Sequence, residues 1–106
     1  YPAMARAIAN WLVDTTSGWL STYNSSHNNV YVFDYYNVLT DPKNHHRVNG
    51  TIIEHIVTDS PTVPAHPDEL YYYTGSDSHP TAAGHQKATA EFIPLLNAYY
   101  NKWKGN

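Results

Sequence analysis

Four consecutive residues, Val30-Tyr31-Val32-Phe33, constrain this chain more than any other feature. They are β-branched or aromatic with no polar alternation, the pattern of a strand buried on both faces inside a parallel sheet. Asp34 closes the run at its carboxyl end, and Tyr35 to Leu39 lead away from it. Such a strand needs neighbours on both edges to take its backbone N–H and C=O groups. No second run of this kind stands beside it in the 106 residues. The expectation is a fold that is incomplete on its own, with the rest of the sheet supplied by residues outside this chain or by further copies of it.

The flanking periodicity is helical. Met4, Ile8, Trp11, Leu12, Thr15, Trp19 and Tyr23 recur at steps of three and four, predicting one apolar face of a helix over residues 3–23. Pro2 suits a first helical position, and Gly18 is where the helix should bend or end. Ser25 to Asn29 form a polar turn. A second helix is expected from Pro80 to about Trp103, with Phe92, Leu95, Leu96, Tyr99 and Trp103 on one face and a kink at Pro94. Between Thr40 and Ser76 the pattern dissolves under Pro42, Pro61, Pro64 and Pro67. Only Thr51 to Val57 read as a short helix or strand there, and a connection this long is commonly functional.

Composition excludes several functions. Only six Lys and Arg against nine Asp and Glu leave a net charge of −3, with no basic stripe for a phosphate backbone, so nucleic acid is not an expected partner. The chain has no cysteine, hence no disulfide framework and no thiolate metal site. No apolar run approaches the length of a membrane span. The opening Tyr1-Pro2-Ala3-Met4 shows neither an initiator Met nor a basic-then-apolar leader, which we read as a processed or truncated start. A secreted or cell-surface setting is the expectation, with no residue that fixes it. Asn24-Ser25-Ser26 and Asn49-Gly50-Thr51 match the N-glycosylation acceptor pattern, and matter only in a glycosylating organism.

The sharpest chemical feature is Gly75-Ser76-Asp77-Ser78-His79-Pro80-Thr81-Ala82-Ala83-Gly84, at a loop-to-helix junction. A carboxylate two residues before an imidazole lets one short loop present both, and Pro80 with the following helix anchors that loop. This block resembles the last conserved block of the SGNH/GDSL hydrolases. The preceding helix, apolar run ending in Asp34 and loop agree with that family in order. The resemblance covers essentially all 106 residues in pattern and is specific only from Gly75 to about Lys87.

The resemblance implies a three-layer α/β/α flavodoxin-like sandwich, of which residues 1–106 form a single partial domain. It further implies hydrolysis of a carboxylic ester, with an acylated carbohydrate as the foremost substrate class and no metal or organic cofactor. In that scheme His79 takes the proton of a serine nucleophile and Asp77 fixes the imidazole tautomer. Two departures stand out. The family's usual spacing leaves two residues between Asp and His, and Ser76 occupies that place here. The serine block and its oxyanion-hole partners are also absent, because Ser17, Ser21, Ser25, Ser26, Ser60, Ser76 and Ser78 lie in no Gly-Asp-Ser context.

Other readings compete. Asp77 also suits a helix cap beside an exposed His79. The chain as a whole also reads as a non-catalytic assembly module, completed by other chains. A third reading gathers His45, His46, His55, His66, Asp68, Asp77, His79 and His85 around a metal, though no pair has a His-x-x-x-His spacing on a convincing helix. His45, His46 and His66 are otherwise expected as loop residues near the mouth of the active site. Tyr71-Tyr72-Tyr73 lines a subsite beside His79 or, more simply, packs the loop onto the body. Asp34 stands where ligands gather in open α/β sheets, but capping the following turn explains it equally.

Overall fold

The computed structural model describes residues 2–22, 29–58, 71–73 and 79–105. They form a mixed α/β arrangement in the order α1 (Pro2–Val13), a 3₁₀ turn (Trp19–Thr22), α2 (Tyr35–Thr40), β1 (His45–Asn49), β2 (Ile52–Ile56) and α3 (Ala82–Trp103). The sheet among these residues is one antiparallel hairpin, with Asn49 opposite Ile52 and His45 opposite Ile56. Helix α3 lies against β1 and α2, and α1 lies against α2.

Strand β2 falls within Thr51 to Val57, the part of this stretch expected as a short helix or strand, whereas β1 and its pairing correct the expectation of an otherwise irregular stretch after Thr40. The hairpin's two-residue loop is Gly50-Thr51, with Gly50 at φ 65° and no non-glycine residue at positive φ among those described. That is the II′ pattern, whose twist matches the flanking strands. Val30 to Phe33 are corrected in the other direction: they are half-buried and belong to no strand. The described residues offer this run no ladder partner, and its rings pack sideways instead. Tyr31 stacks on Tyr99 at 4.3 Å between centroids, and Phe33 lies 5.7 Å from His46 and 5.2 Å from Phe92.

Helix α1 starts at Pro2 as expected but stops five residues before Gly18. The Asp14 carboxylate accepts from the backbone N–H groups of Thr16 (2.8 Å) and Ser17 (3.2 Å), turning the chain where the helix would continue. The face that docks is also not the apolar stripe. Arg6 and Ala9 are buried, whereas Met4, Ile8 and Trp11 are more than half exposed. Arg6 sets this orientation by donating to Asn37 Oδ1 and to the Thr58 carbonyl, both at 3.2 Å. The α3 stripe behaves alike: Leu95 is fully buried, but Phe92, Leu96 and Trp103 remain exposed. Helix α3 runs on through Pro94, which lies on its exposed side where water can take the freed carbonyl.

The apolar cluster is small: Val38, Leu39, Tyr72 and Ala88, with Phe33 and Tyr73 against it. Tyr72 thus packs the loop onto the body, in line with the simpler reading of the tyrosine triplet. Gly84 makes this approach possible, because a Cβ there would sit 2.9 Å from Tyr72 Cβ and 3.2 Å from Leu39 Cδ2. Beside the cluster lies a polar interior of Arg6, Asp34, Asn37, Thr40, Asn44, His46 and Glu91.

Candidate functional site

The structure describes one half of the expected catalytic pair. His79 is exposed, and Asp77 lies outside the described residues. The segment on the C-terminal side of His79 is firmly held. Pro80 bridges to Tyr73, and the Thr81 N–H donates to the Tyr72 carbonyl at 2.7 Å. Thr81 then caps α3, its hydroxyl accepting from the Gly84 N–H at 3.2 Å. The imidazole therefore projects from a segment fixed on two sides, to the tyrosine triplet and to the helix.

A second carboxylate–imidazole pair lies deeper, and sequence reasoning did not assemble it. The Asp34 carboxylate, with no side-chain surface exposed, accepts from His55 Nε2 at 2.5 Å. It also accepts from the Asn37 side chain (2.6 Å) and backbone N–H (3.0 Å), the latter capping α2 in line with the simpler reading of Asp34. Burial pushes the Asp34 carboxyl up, but the hydrogen bonds from His55 and Asn37 and the His55 charge overcome it and hold it below the usual value. Asp34 is thus ionised, so the proton it shares with His55 resides on His55 Nε2.

His46 stands beside this pair, its ring centroid 5.1 Å from that of His55. It is buried rather than at a loop mouth, because β1 carries it inward. Its Nδ1 accepts from the Asp34 N–H at 2.9 Å. A backbone N–H can only donate, so the proton resides on Nε2 and is given to the Tyr99 hydroxyl oxygen at 3.1 Å. Burial and the neighbouring His55 charge depress the His46 pKa to about 4, against the opposing pull of Asp34 and Glu91. Burial pushes the Tyr99 hydroxyl up to about 12, so it remains protonated at neutral pH.

The remaining polar groups join elements to each other. Glu91 of α3 accepts from the His46 N–H and pairs with His45 Nδ1, each at 2.9 Å, and meets Lys87 at 3.1 Å. Lys87 also donates to the carbonyls of Val38 (2.8 Å) and Asn44 (2.5 Å). Asn49 sits exposed at the hairpin turn, its amide donating to Glu54; Asn24, His66 and Asp68 lie outside the described residues. Among the described residues, no three His, Asp or Glu side chains converge as a bound metal would require.

Two of the concavities that border these groups differ in character. One is an open apolar groove of Tyr31, Val32, Phe33, Phe92, Leu96 and Trp103. The other is a more enclosed cavity of about 260 Å³, into which His46, His55, Tyr99 and Lys102 face. His55 would have been findable only with the hairpin in hand, since the β1–β2 register is what brings it to His46 and Asp34. Comparisons of the chain with protein-family models, with curated proteins and with solved structures each return no match.

Proposed function

We propose that this chain is the C-terminal part of an SGNH/GDSL-type ester hydrolase, contributing His79 as general base and Asp77 as its orienting carboxylate. The serine is supplied from outside the 106 residues. The observation that supports the reading most is the mounting of His79: exposed, and one residue ahead of a junction held by Pro80, Tyr72 and the Thr81 cap. A base that must meet a nucleophile from elsewhere needs both exposure and a fixed mount. In the reaction His79 takes the serine proton as the serine oxygen adds to the ester carbonyl, then returns it to the leaving alkoxide. Asp77 steadies the intervening imidazolium. The substrate class is a carboxylic ester, with acyl groups on carbohydrate foremost. In this proposal residues 30–33 become the last strand of a parallel sheet in an α/β/α sandwich, once neighbouring strands cover their edges.

The test is hydrolysis of p-nitrophenyl acetate by the chain expressed together with its upstream coding sequence. His79→Ala should abolish turnover, and Asp77→Asn should reduce it by about 10⁴, the usual loss when a triad's orienting carboxylate is neutralised. Full activity in His79→Ala would end the proposal.

One observation favours a second reading, a non-catalytic assembly module. Trp11 on α1, with Phe92, Ile93, Leu96, Tyr100 and Trp103 on α3, exposes a large apolar surface, which marks interaction sites. That reading expects the purified chain to be oligomeric by light scattering and inert toward the ester.

A further inference from the structure

The enclosed cavity beside His55 is chemically one-sided. Val13, Leu20, Val30 and Ile53 give it apolar walls, and its polar groups are Thr15, Tyr31, His46, His55, Tyr99 and Lys102. Among the described residues, no Asp or Glu lines it. Asp14 lines an adjoining depression that shares Val13, Thr15 and His55 with the cavity, but its carboxylate is occupied by Thr16 and Ser17.

Tyr99 and Lys102 supply the cavity's donors. Because His46 Nε2–H gives its proton to the Tyr99 oxygen, the Tyr99 hydroxyl hydrogen remains for another acceptor. Stacking on Tyr31 fixes that ring in place. Lys102, in the last turn of α3, adds an ammonium group at the wall. His55 is held through Nε2 by the buried Asp34 carboxylate, which fixes the orientation of its ring. An ammonium, a hydroxyl donor and an oriented imidazole around an apolar hollow call for an anion with an apolar body.

We infer that this cavity binds a small monocarboxylate, its apolar part among Val13, Leu20, Val30 and Ile53 and its carboxylate met by His55, Tyr99 and Lys102. Phosphate and other polyanions suit it less well, since no Arg is among its described lining residues. The site depends on His55 and not on His79, so its test is separate from that of the hydrolase proposal.

The test is titration of the 106-residue chain with benzoate and with benzyl alcohol, its neutral counterpart, followed by calorimetry. Benzoate should bind at least about tenfold more tightly than benzyl alcohol, the order of one well-made charged hydrogen bond. His55→Gln keeps a donor for Asp34 but loses the imidazole, and should weaken benzoate about tenfold. Lys102→Met, at an exposed position that folding does not need, should weaken it several-fold. Leu96→Gln, in the neighbouring open groove, should leave it unchanged. Equal affinity for the two probes overturns the inference. So does an absence of benzoate binding, indifference to both His55→Gln and Lys102→Met, or loss on Leu96→Gln alone.

Discussion

Acidifying the solution from pH 7 to pH 5 offers His46 a proton that the folded protein has no place for. Nδ1 already accepts from the Asp34 N–H, and Nε2–H already donates to Tyr99. A second proton on the ring would turn the Asp34 N–H contact into two donors facing each other at 2.9 Å. The groups around the ring are Asp34, His55 of β2, and Glu91 and Tyr99 of α3. Burial outweighs the two carboxylates and places the pKa at about 4, against 6.5 in the unfolded chain. The unfolded state therefore binds the proton first, and stability falls as pH drops below about 6.5, levelling off below about 4. At 1.36 kcal/mol per unit, the loss from this residue is about 2 kcal/mol at pH 5 and about 3 kcal/mol at pH 4. Against a typical domain stability of about 5–15 kcal/mol this is large, equivalent to roughly 10 °C in Tm at pH 5. Asp34, whose pKa is held low, loses its contribution only at still lower pH, so the window between 7 and 5 is clear of it. The assay is urea denaturation followed by tryptophan fluorescence at pH 7, 6 and 5, for the native chain and for His46→Asn. Asparagine retains an acceptor near the Nδ1 position and cannot titrate. The native chain should lose about 2 kcal/mol more than the variant over this range. Equal pH slopes, or a His46 ring resonance titrating near its ordinary value of about 6.5, would refute the argument.

Three other outcomes are expected from the packing. Gly84→Ala should destabilise by about 1–2 kcal/mol although alanine favours helix, because the new methyl meets Tyr72 Cβ at 2.9 Å; a more stable variant by thermal melting would contradict this. Lys87→Met leaves the Val38 and Asn44 carbonyls and the Glu91 carboxylate without their shared donor. It should cost about 3 kcal/mol by chemical denaturation, and a change under about 0.5 kcal/mol would show that water replaces the ammonium. Thr81→Ala should cost about 1 kcal/mol through the lost cap while Thr81→Ser stays near neutral, so equal losses in the two would remove the cap from the explanation.

Helices α1 and α3 were legible in the sequence because their signals are local, whereas the short α2, started by the Asp34 cap, was not expected. Pro2 at the start of α1 and the periodic stretch from Ala82 to Trp103 needed no distant partner to be recognised. The end of α1 was missed because Asp14 acts through its side chain on Thr16 and Ser17, a competition that apolar periodicity does not register. The hairpin was missed because His45 to Asn49 has no apolar alternation: its strand character rests on pairing with Ile52 to Ile56 and on Glu91 beneath it. Losing the hairpin meant losing the Asp34–His55–His46 cluster, whose members are drawn from three separate segments. Asp34 and His55 are 21 positions apart and meet only through the fold. The Asp77–His79 block was visible for the opposite reason, since two residues with a single position between them need only a local motif to be noticed.

The chain's buried and exposed residues are partly exchanged in chemical type, and this bears on both functional readings. Arg6, Asp34, Asn37, Asn44, His46 and Glu91 are inside, whereas Trp11, Phe92, Ile93, Leu96, Tyr100 and Trp103 are largely outside. Each internal hydrogen bond adds only about 1 kcal/mol net, because water would have satisfied the same groups. The polar interior therefore dictates geometry more than it supplies cohesion. Fully burying an aromatic side chain is worth about 2 kcal/mol, so covering the half-exposed side chains of the α3 face would add stability. Completion of a parallel sandwich and assembly with other chains both place apolar surface there. The two diverge at His79: a sandwich built around a hydrolytic serine must leave that imidazole open to solvent and substrate, whereas an assembly module has no reason to. The accessibility of His79 in the completed particle, read by its reaction with diethylpyrocarbonate, therefore separates them even where oligomeric state does not.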